Sequence, residues 1–444
     1  MSTGVTAVIL PPATANGPLH VGHLAGPYLA ADIAARAARA RGERVVTTAG
    51  VDVHQNSVLT RADSEGVDVD KLVAAYRDEL VDALDAARIR YDVFLDPQSE
   101  AYRHGVTTLA ADLTEAGRFP LRRLTLLACE DCGRTLHQSY VVGTCVCCGS
   151  EAVGGGCGRC GGYTSAANLV DPRCNRCGGR PRPLKAQVPV LSMEDYRQEL
   201  IEIWLRAALP DRARQLVTYY LERRLPDVPI AYPADWGLAG TGPHEGLRLD
   251  VDAEIGLSTI YGVAQSIRPG AVGLEETAQA WSEVGSLWHF NGMDNGFAFA
   301  LFWPAVYLAC GVPPEAIGGA QVNESASLGA DSRAPAIWLN DFLHDEDVDI
   351  VRLYLAWDRP DRHPTDFTLS SYRQFESYVR PLLNGATHST LPAVLAEAEI
   401  RRGTAALCPQ AFDPPLAVRS TLTALPTNTP GARQLLSILT GQTC

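Results

Sequence analysis

Short apolar runs alternate with stretches of helical spacing along the first half of the chain. Val5 to Leu10, broken only by Thr6, predicts a buried strand. Leu24 to Arg41, Ala-rich with its basic residues late, predicts a helix directly after a Pro/Gly segment. Val45 to Ala49 predicts a second strand. From Val69 to Arg90, Leu72, Tyr76, Leu80 and Leu84 recur at helical spacing and predict a core-facing stripe. Leu200 to Arg224 predicts helix, and Pro226 to Gly242 a Pro/Gly/Trp connection. The longest apolar run, Phe297 to Val312, is interrupted by Pro304 and is shorter than the roughly 20 residues that span a bilayer, so it predicts a core helix. Phe342 to Trp357 and Leu369 to Leu383 predict two more.

The segment between the first strand and the first helix holds the first candidate chemistry: Pro11, Asn16, Gly17, His20, Gly22 and His23. A helix N-terminus presents unpaired N–H groups and a positive dipole end, a seat for phosphate. Two His three apart also fit metal ligands, with no third ligand nearby, or incidental polar residues at a helix start. Beyond the second strand, Asp52 and His54 follow Gly50. A carboxylate at the end of a parallel strand points into the ligand crevice of an open α/β sheet; capping a loop is the plainer role.

Four C-x-x-C pairs, Cys129/Cys132, Cys145/Cys148, Cys157/Cys160 and Cys174/Cys177, follow with Gly between them. Two such turns complete a tetrahedral four-thiolate zinc site. The eight-residue gap between Cys148 and Cys157 pairs the inner turns, and the outer pairs then close a second site around them. Cys147 is left over. Four thiolates leave zinc no open position, so both sites are expected to be structural. Disulfides are disfavoured in the cytoplasm, the expected compartment, since Met1 to Gly4 lacks a signal-peptide pattern and no membrane span is expected.

The chain has 444 residues and a net charge of −13. That length suggests several modules, and the charge lowers the expectation of a nucleic-acid partner, although a local basic patch can hide in an acidic total.

The string Ile9 to His23 resembles the P-x-x-x-x-N/S-G-x-x-H-x-G-H signature of class I aminoacyl-tRNA synthetases, the methionyl group in particular. In that family both His donate to ATP phosphates in the adenylation transition state. Gly50 to Gln55 resembles the family's G-x-D-x-H-G loop, whose Asp holds the substrate α-amino group. Leu249 to Leu257 resembles W-x-D-A-P-I-G-Y, with Asp250, Glu254 and Leu257 in place of the pocket-walling Trp, Pro and Tyr. His289 to Asn295 and Phe302 to Ala305 resemble H-F-x-G-K-D-I and F-W-P-A, with Met293, Asn295 and Phe299 departing from the pattern. Val322 to Gly329 covers the family's K-M-S-K-S loop without either lysine, Glu324 and Ser327 standing in their places. Losing the second Lys is expected to cost about 3–4 kcal/mol of transition-state stabilisation, by analogy with one oxyanion-hole donor. Arg333 is the candidate substitute.

The resemblance implies a Rossmann-like parallel α/β sheet over residues 1–115 and 241–345, split by a zinc-knuckle insertion over 116–240. A helical segment and a Pro-rich tail over 346–444 are expected to follow, too short for the family's anticodon-binding bundle. It implies ATP with Mg2+ held by Pro11, Asn16, Gly17, His20, Gly22, His23, Gly292, Asp294 and Arg333. It implies an amino acid held by Pro12, Thr14, Asp52, His54, Asp250, Ala253, Glu254, Leu257, Asn295 and Phe299. Acids where an apolar thioether should lie imply a polar or amine-bearing substrate, unless the pocket is simply hydrated. The expected activity is ATP-dependent adenylation with transfer to a small-molecule acceptor rather than tRNA. Relatives in specialised metabolism that join an amino acid to an N-hydroxylated amine, toward a hydrazine with a cupin partner, set this expectation. A minimal tRNA synthetase and a non-catalytic paralogue are the alternatives.

Overall fold

The computed structural model describes residues 4–324, 326–327, 337–361, 363–385 and 391–442. Its strands include, in chain order, β1 (Val5–Ile9), β2 (Val45–Asp52), β3 (Val93–Leu95), β4 (Leu121–Cys129), β5 (Pro181–Ser192), β6 (Val284–Gly292) and β7 (Ile317–Asn323). All five residues of β1 are buried, as a two-sided parallel strand requires. The central sheet is parallel in the order β7-β6-β1-β2-β3, and Ala13–Thr14 pairs with the last residues of β2. The chain steps outward from β1 on one side and returns to its other side, so a crevice opens beyond the carboxyl ends of β1 and β6.

The helices include α1 (Leu29–Ala40), α2 (Val69–Ala86), α3 (Glu100–Glu115), α4 (Val251–Ile267) and α5 (Val348–Trp357). The first helical stretch starts earlier than its apolar spacing suggests, with one turn at Val21–His23, and α1 follows only after a wide turn over Leu24–Tyr28. Pro27 supplies no N–H, and Leu29 N–H bonds the Leu24 carbonyl five residues back. The same device recurs before Pro304: a wide turn spans Ala298–Phe302 and an ordinary helix runs on over Trp303–Ala309. The expected helix over Leu200 to Arg224 is two, Arg197–Arg206 and Asp211–Leu221, separated around Pro210. Phe342 to Trp357 likewise divides into Leu339–Asp345 and α5, with Asp347 capping the second. Leu369–Leu383 is helical as expected.

Strands β4 and β5 form a long antiparallel hairpin, paired from Leu121↔Pro189 to Cys129↔Pro181. The knuckles sit at its far end. The tail from Pro392 is helical rather than irregular: Ala393–Ala405, Pro414–Ala424 and Pro430–Thr440. Its prolines stand in first turns, where a missing N–H costs nothing.

The fully buried Arg352 of α5 ties this end to the sheet. Its guanidinium donates to the Asp32 carboxylate at 2.6 Å, the Ala87 carbonyl at 2.7 Å and the Leu439 carbonyl at 3.0 Å. Burial pulls the Arg352 pKa down, and the Asp32 charge opposes that. Among the described residues no helix is long and apolar enough to cross a membrane.

Candidate nucleotide and metal sites

His20 and His23 stand where β1 gives way to helix, at the mouth of a cleft of about 1200 Å³. The His20 Nδ1 accepts the Gly22 N–H and the His23 Nδ1 accepts the His20 N–H, each at 3.1 Å. An Nδ1 that accepts leaves the ring proton on Nε2, so each neutral ring has an N–H donor free of this turn. Burial lowers the pKa of His20; burial and the neighbouring His20 bring His23 down to about 4. Both rings are therefore neutral donors at physiological pH. Their centroids are 3.9 Å apart, an approach that two imidazolium ions would resist. The turn is pinned from behind: Val21 N–H bonds the Ile337 carbonyl and Leu339 N–H the Leu19 carbonyl.

The cleft gathers Pro11, Pro12, Thr14, Asn16, Gly17, His20, Gly22, His23, Gly292, Asp294 and Asn295. Gly17 borders open space, so a ligand can lie against its backbone. At Gly292 a Cβ would stand 2.4 Å from the Asp294 carboxylate oxygen, so any larger residue there would turn that carboxylate from its present position. Burial raises the Asp294 pKa.

Two cations in the cleft come from the insertion. Arg212 opens the helix Asp211–Leu221 and forms an ion pair with Glu324, where the aligned lysine loop begins. Arg159, inside the Cys157-x-x-Cys160 turn, lines the same cleft. Arg333 lies outside the described residues, as does Gly329; of Ser327 only the backbone is described. No motif announces Arg212, which lies more than 180 residues from His23 in sequence and reaches the cleft only through tertiary packing; Arg159 sits inside a ligand turn that was read for its cysteines alone.

Deeper in, Asp52 accepts the His54 and Gln55 N–H groups and the Thr14 hydroxyl, each at 3.2 Å. The His54 Nδ1–H donates to the Glu254 carboxylate at 2.8 Å and the Tyr102 hydroxyl donates to it at 2.9 Å. Glu254 is 2% exposed, so these partners offset its desolvation. Burial alone would lower the His54 pKa, but the Glu254 charge and hydrogen bond carry it above its ordinary value. Burial, then the Glu254 charge, raise Asp52 to about 7 against the opposing pull of His54.

The expected pocket residues are not all in one place. Asp52, Glu254 and Pro12 border a small cavity of about 20 Å³, Asn295 sits in the large cleft, and Asp250 faces a third space of about 440 Å³. Ala253, Leu257 and Phe299 are sealed in the core and line none of the three. Apolar side chains on α4 and on the Ala298–Phe302 turn are held by helix-to-helix packing, which a motif alignment does not register.

The eight cysteines assemble as Cys129, Cys132, Cys174 and Cys177, and as Cys145, Cys148, Cys157 and Cys160, the sulfurs of each set within 4.8 Å of one another. Cross-turn Sγ–Sγ distances are 3.4–3.8 Å. These are too long for a disulfide of about 2.05 Å and near the edge of about 3.8 Å that a tetrahedron with Zn–S of about 2.3 Å requires. Each C-x-x-C runs into a glycine, Gly133, Gly149, Gly161 or Gly178, at φ of +70 to +72°. That glycine returns its N–H to the carbonyl of the first cysteine of its turn. The donor sets fit zinc. Cys147 stands apart, 3.7 Å from the Tyr219 hydroxyl. The inner knuckle is docked on the cleft: the Gly161 carbonyl accepts the Phe297 N–H at 2.7 Å, and Tyr163 stacks on Phe297.

Residues 6–377 match the family described as tRNA synthetases class I (M). Methionine–tRNA ligase of Methanocaldococcus jannaschii is 26% identical over 382 residues, 85% of this chain and 57% of that protein. Its counterpart in Methanopyrus kandleri is 30% identical over 371 residues, 81% of this chain and 54% of the other. The chain thus spans little more than half the length of these relatives. The solved structure of Mycobacterium tuberculosis methionyl-tRNA synthetase in complex with methionyl-adenylate superposes with a TM-score of 0.67 at 17% identity, covering 95% of this chain and 81% of that one, which shows a shared fold.

Proposed function

The chain belongs to the class I tRNA synthetase family of the methionyl type, and on that premise we propose that it activates an amino acid with ATP and passes the aminoacyl group to a tRNA. The substrate carboxylate attacks the α-phosphorus of ATP, the bond to the β-phosphate bridging oxygen breaks, and pyrophosphate leaves. A tRNA hydroxyl then displaces AMP from the adenylate. The observation that carries this reading is the pair of neutral Nε2–H donors on His20 and His23 at a cleft that also holds Asn16, Gly17, Gly292 and Asp294. Mg2+ enters with ATP as its salt. The eight cysteines hold two structural zinc ions.

Arg212 and Arg159 supply cationic charge beside the phosphates in place of the lost lysines. Asp52, beside Thr14, takes the substrate α-ammonium.

The tRNA acceptor draws on the insertion's charge. Residues 121–190 hold nine Arg and Lys against four Asp and Glu, within a chain at −13. Arg123, Arg173, Arg176, Arg180, Arg182 and Lys185 are exposed there. The register Arg123↔Gln187 and Thr125↔Lys185 sets two of them on one hairpin face. Such a patch is the electrostatic footprint of a phosphate backbone. The relatives above carry tRNA ligase names, so the expectation that tRNA is excluded finds no support in them. Transfer to a small-molecule acceptor with a cupin partner finds none either.

ATP–pyrophosphate exchange across an amino-acid panel, followed by charging of total tRNA, tests the proposal on zinc-loaded protein. Exchange with charging supports it. Exchange without charging moves the acceptor to a small molecule, and no exchange with any amino acid leaves a non-catalytic paralogue.

A pH dependence follows from Asp52. A carboxyl raised to about 7 loses its charge as pH falls through 7, not through 4. The KM for the amino acid is therefore expected to be flat above about pH 7.5 and to rise roughly tenfold per unit below about 6.5. A KM flat from pH 5.5 to 8 would remove Asp52 from that role.

A further inference from the structure

Between the β4–β5 hairpin, the inner knuckle and the N-terminus of α4 lies a space of about 440 Å³, lined by other residues than the cleft that holds His20 and His23. Two features of its lining stand out. Asp250 is 6% exposed and opens α4, its Oδ1 accepting the Asp252 N–H at 3.1 Å. Its Oδ2 accepts the Gln138 side-chain amide at 2.9 Å, and the same amide reaches Asp252 at 3.5 Å. One neutral donor shared by the buried Asp250 and the half-buried Asp252 leaves much of their charge uncompensated. Burial, then the Asp252 charge, push Asp250 up to about 7. The second feature is aromatic: Tyr163, Tyr220, Tyr232, Phe297 and Phe302 wall the same space. Tyr163 is stacked on Phe297 at 4.8 Å, which fixes both rings. The lining cations, Arg223 and Arg224, are exposed at its outer end, and Arg223 is stacked on Tyr219 rather than turned to the acids.

Aromatic faces around one buried and one half-buried carboxylate are the surroundings in which an organic cation gains both a counter-charge and cation–π contact while its alkyl part is desolvated. We propose that this cavity binds the ammonium group of a small aliphatic amine, seated on Asp250 and Asp252 between Tyr163 and Tyr232. The inference deepens the adenylation reading by naming the chemistry of a further ligand group, but binding itself requires no adenylate.

The test is calorimetric titration of zinc-loaded protein without ATP, using n-pentylammonium and its neutral counterpart 1-pentanol at pH 8. Saturable binding of pentylammonium at least tenfold tighter than pentanol is expected, with that preference lost in Asp252→Asn. Should Asp252→Asn fail to fold, Tyr163→Leu decides, with pentylammonium weakened more than pentanol. Equal binding of the two probes, no binding of either, or full affinity in the folded variant would overturn the proposal and leave the two acids a proton-sharing structural pair. Pentylammonium is then added to the exchange assay, whose own failure would bear on adenylation and not on this cavity. Competition with the amino acid places the ammonium on the activated substrate's side chain. Binding without competition places it on a separate amine. Either result retains the site.

Discussion

His23→Ala is expected to lower the rate of ATP–pyrophosphate exchange roughly 10²–10³-fold, the scale of one lost donor to a developing charge in a transition state. Its Nδ1 is committed to the His20 N–H, so Nε2 is left to donate to phosphate. Because the ring is already neutral, with its pKa near 4, no step of protonation precedes donation. Exchange at saturating substrates should therefore show no inflection from this group between pH 6 and 8. His20 needs a finer probe, since its Nδ1 also caps the turn by accepting the Gly22 N–H. His20→Asn retains a capping acceptor and removes the Nε2 donor. An equal loss in His20→Asn and His20→Ala would assign the effect to the phosphate contact; full activity in His20→Asn would reduce His20 to a cap. Arg212→Ala should cost less, roughly tenfold to a hundredfold, as for one charge-assisted contact.

The second large effect is expected at the inner knuckle. Cys157→Ala should raise the KM for ATP roughly tenfold and lower the thermal midpoint by about 5 °C or more. The knuckles' own buried cluster consists of four of their cysteines with Leu136, Val141, Ala152, Ala166 and Leu169, too few apolar groups to hold the turns without metal. Through the Gly161–Phe297 hydrogen bond, the inner site positions the turn that carries Asp294. Cys174→Ala in the outer site should also lower the midpoint but leave the KM for ATP within about threefold. Steady-state kinetics beside zinc content would settle the contrast. Equal KM changes in both variants would mean that the knuckles support the fold generally rather than the nucleotide turn.

Local chemistry was the legible part of this chain. The strand-to-helix passage, the two His and the nested cysteine pairing rest on short-range spacing, and the structure places each as expected. What the spacing did not reveal depends on contacts distant in sequence. Glu254 reads as a pocket substitution, yet its partners are His54 and Tyr102, some 200 and 152 residues earlier. Leu257 and Phe299 align with pocket residues but belong to helix packing. The helix expected from Leu24 to Arg41 runs across Pro27, where the backbone answers with a wide turn and continues. Asp250 drew attention as a change in its motif, while Gln138 and the Tyr163, Tyr220 and Tyr232 walls of its setting come from the insertion.

Arg352 makes the far end of the chain answerable to the nucleotide end. Its guanidinium is satisfied only while the carbonyl of Leu439, on the helix Pro430–Thr440, and the carboxylate of Asp32, on α1, are both in place. The helix that follows the two histidines and the last helix described are thus held by one buried cation. If the last helix tilted away, Arg352 would lose an acceptor in a setting without water, so the cost of that motion falls on α1, directly behind the phosphate seat. A load applied at the C-terminal helices is therefore felt at the place where ATP is to be held.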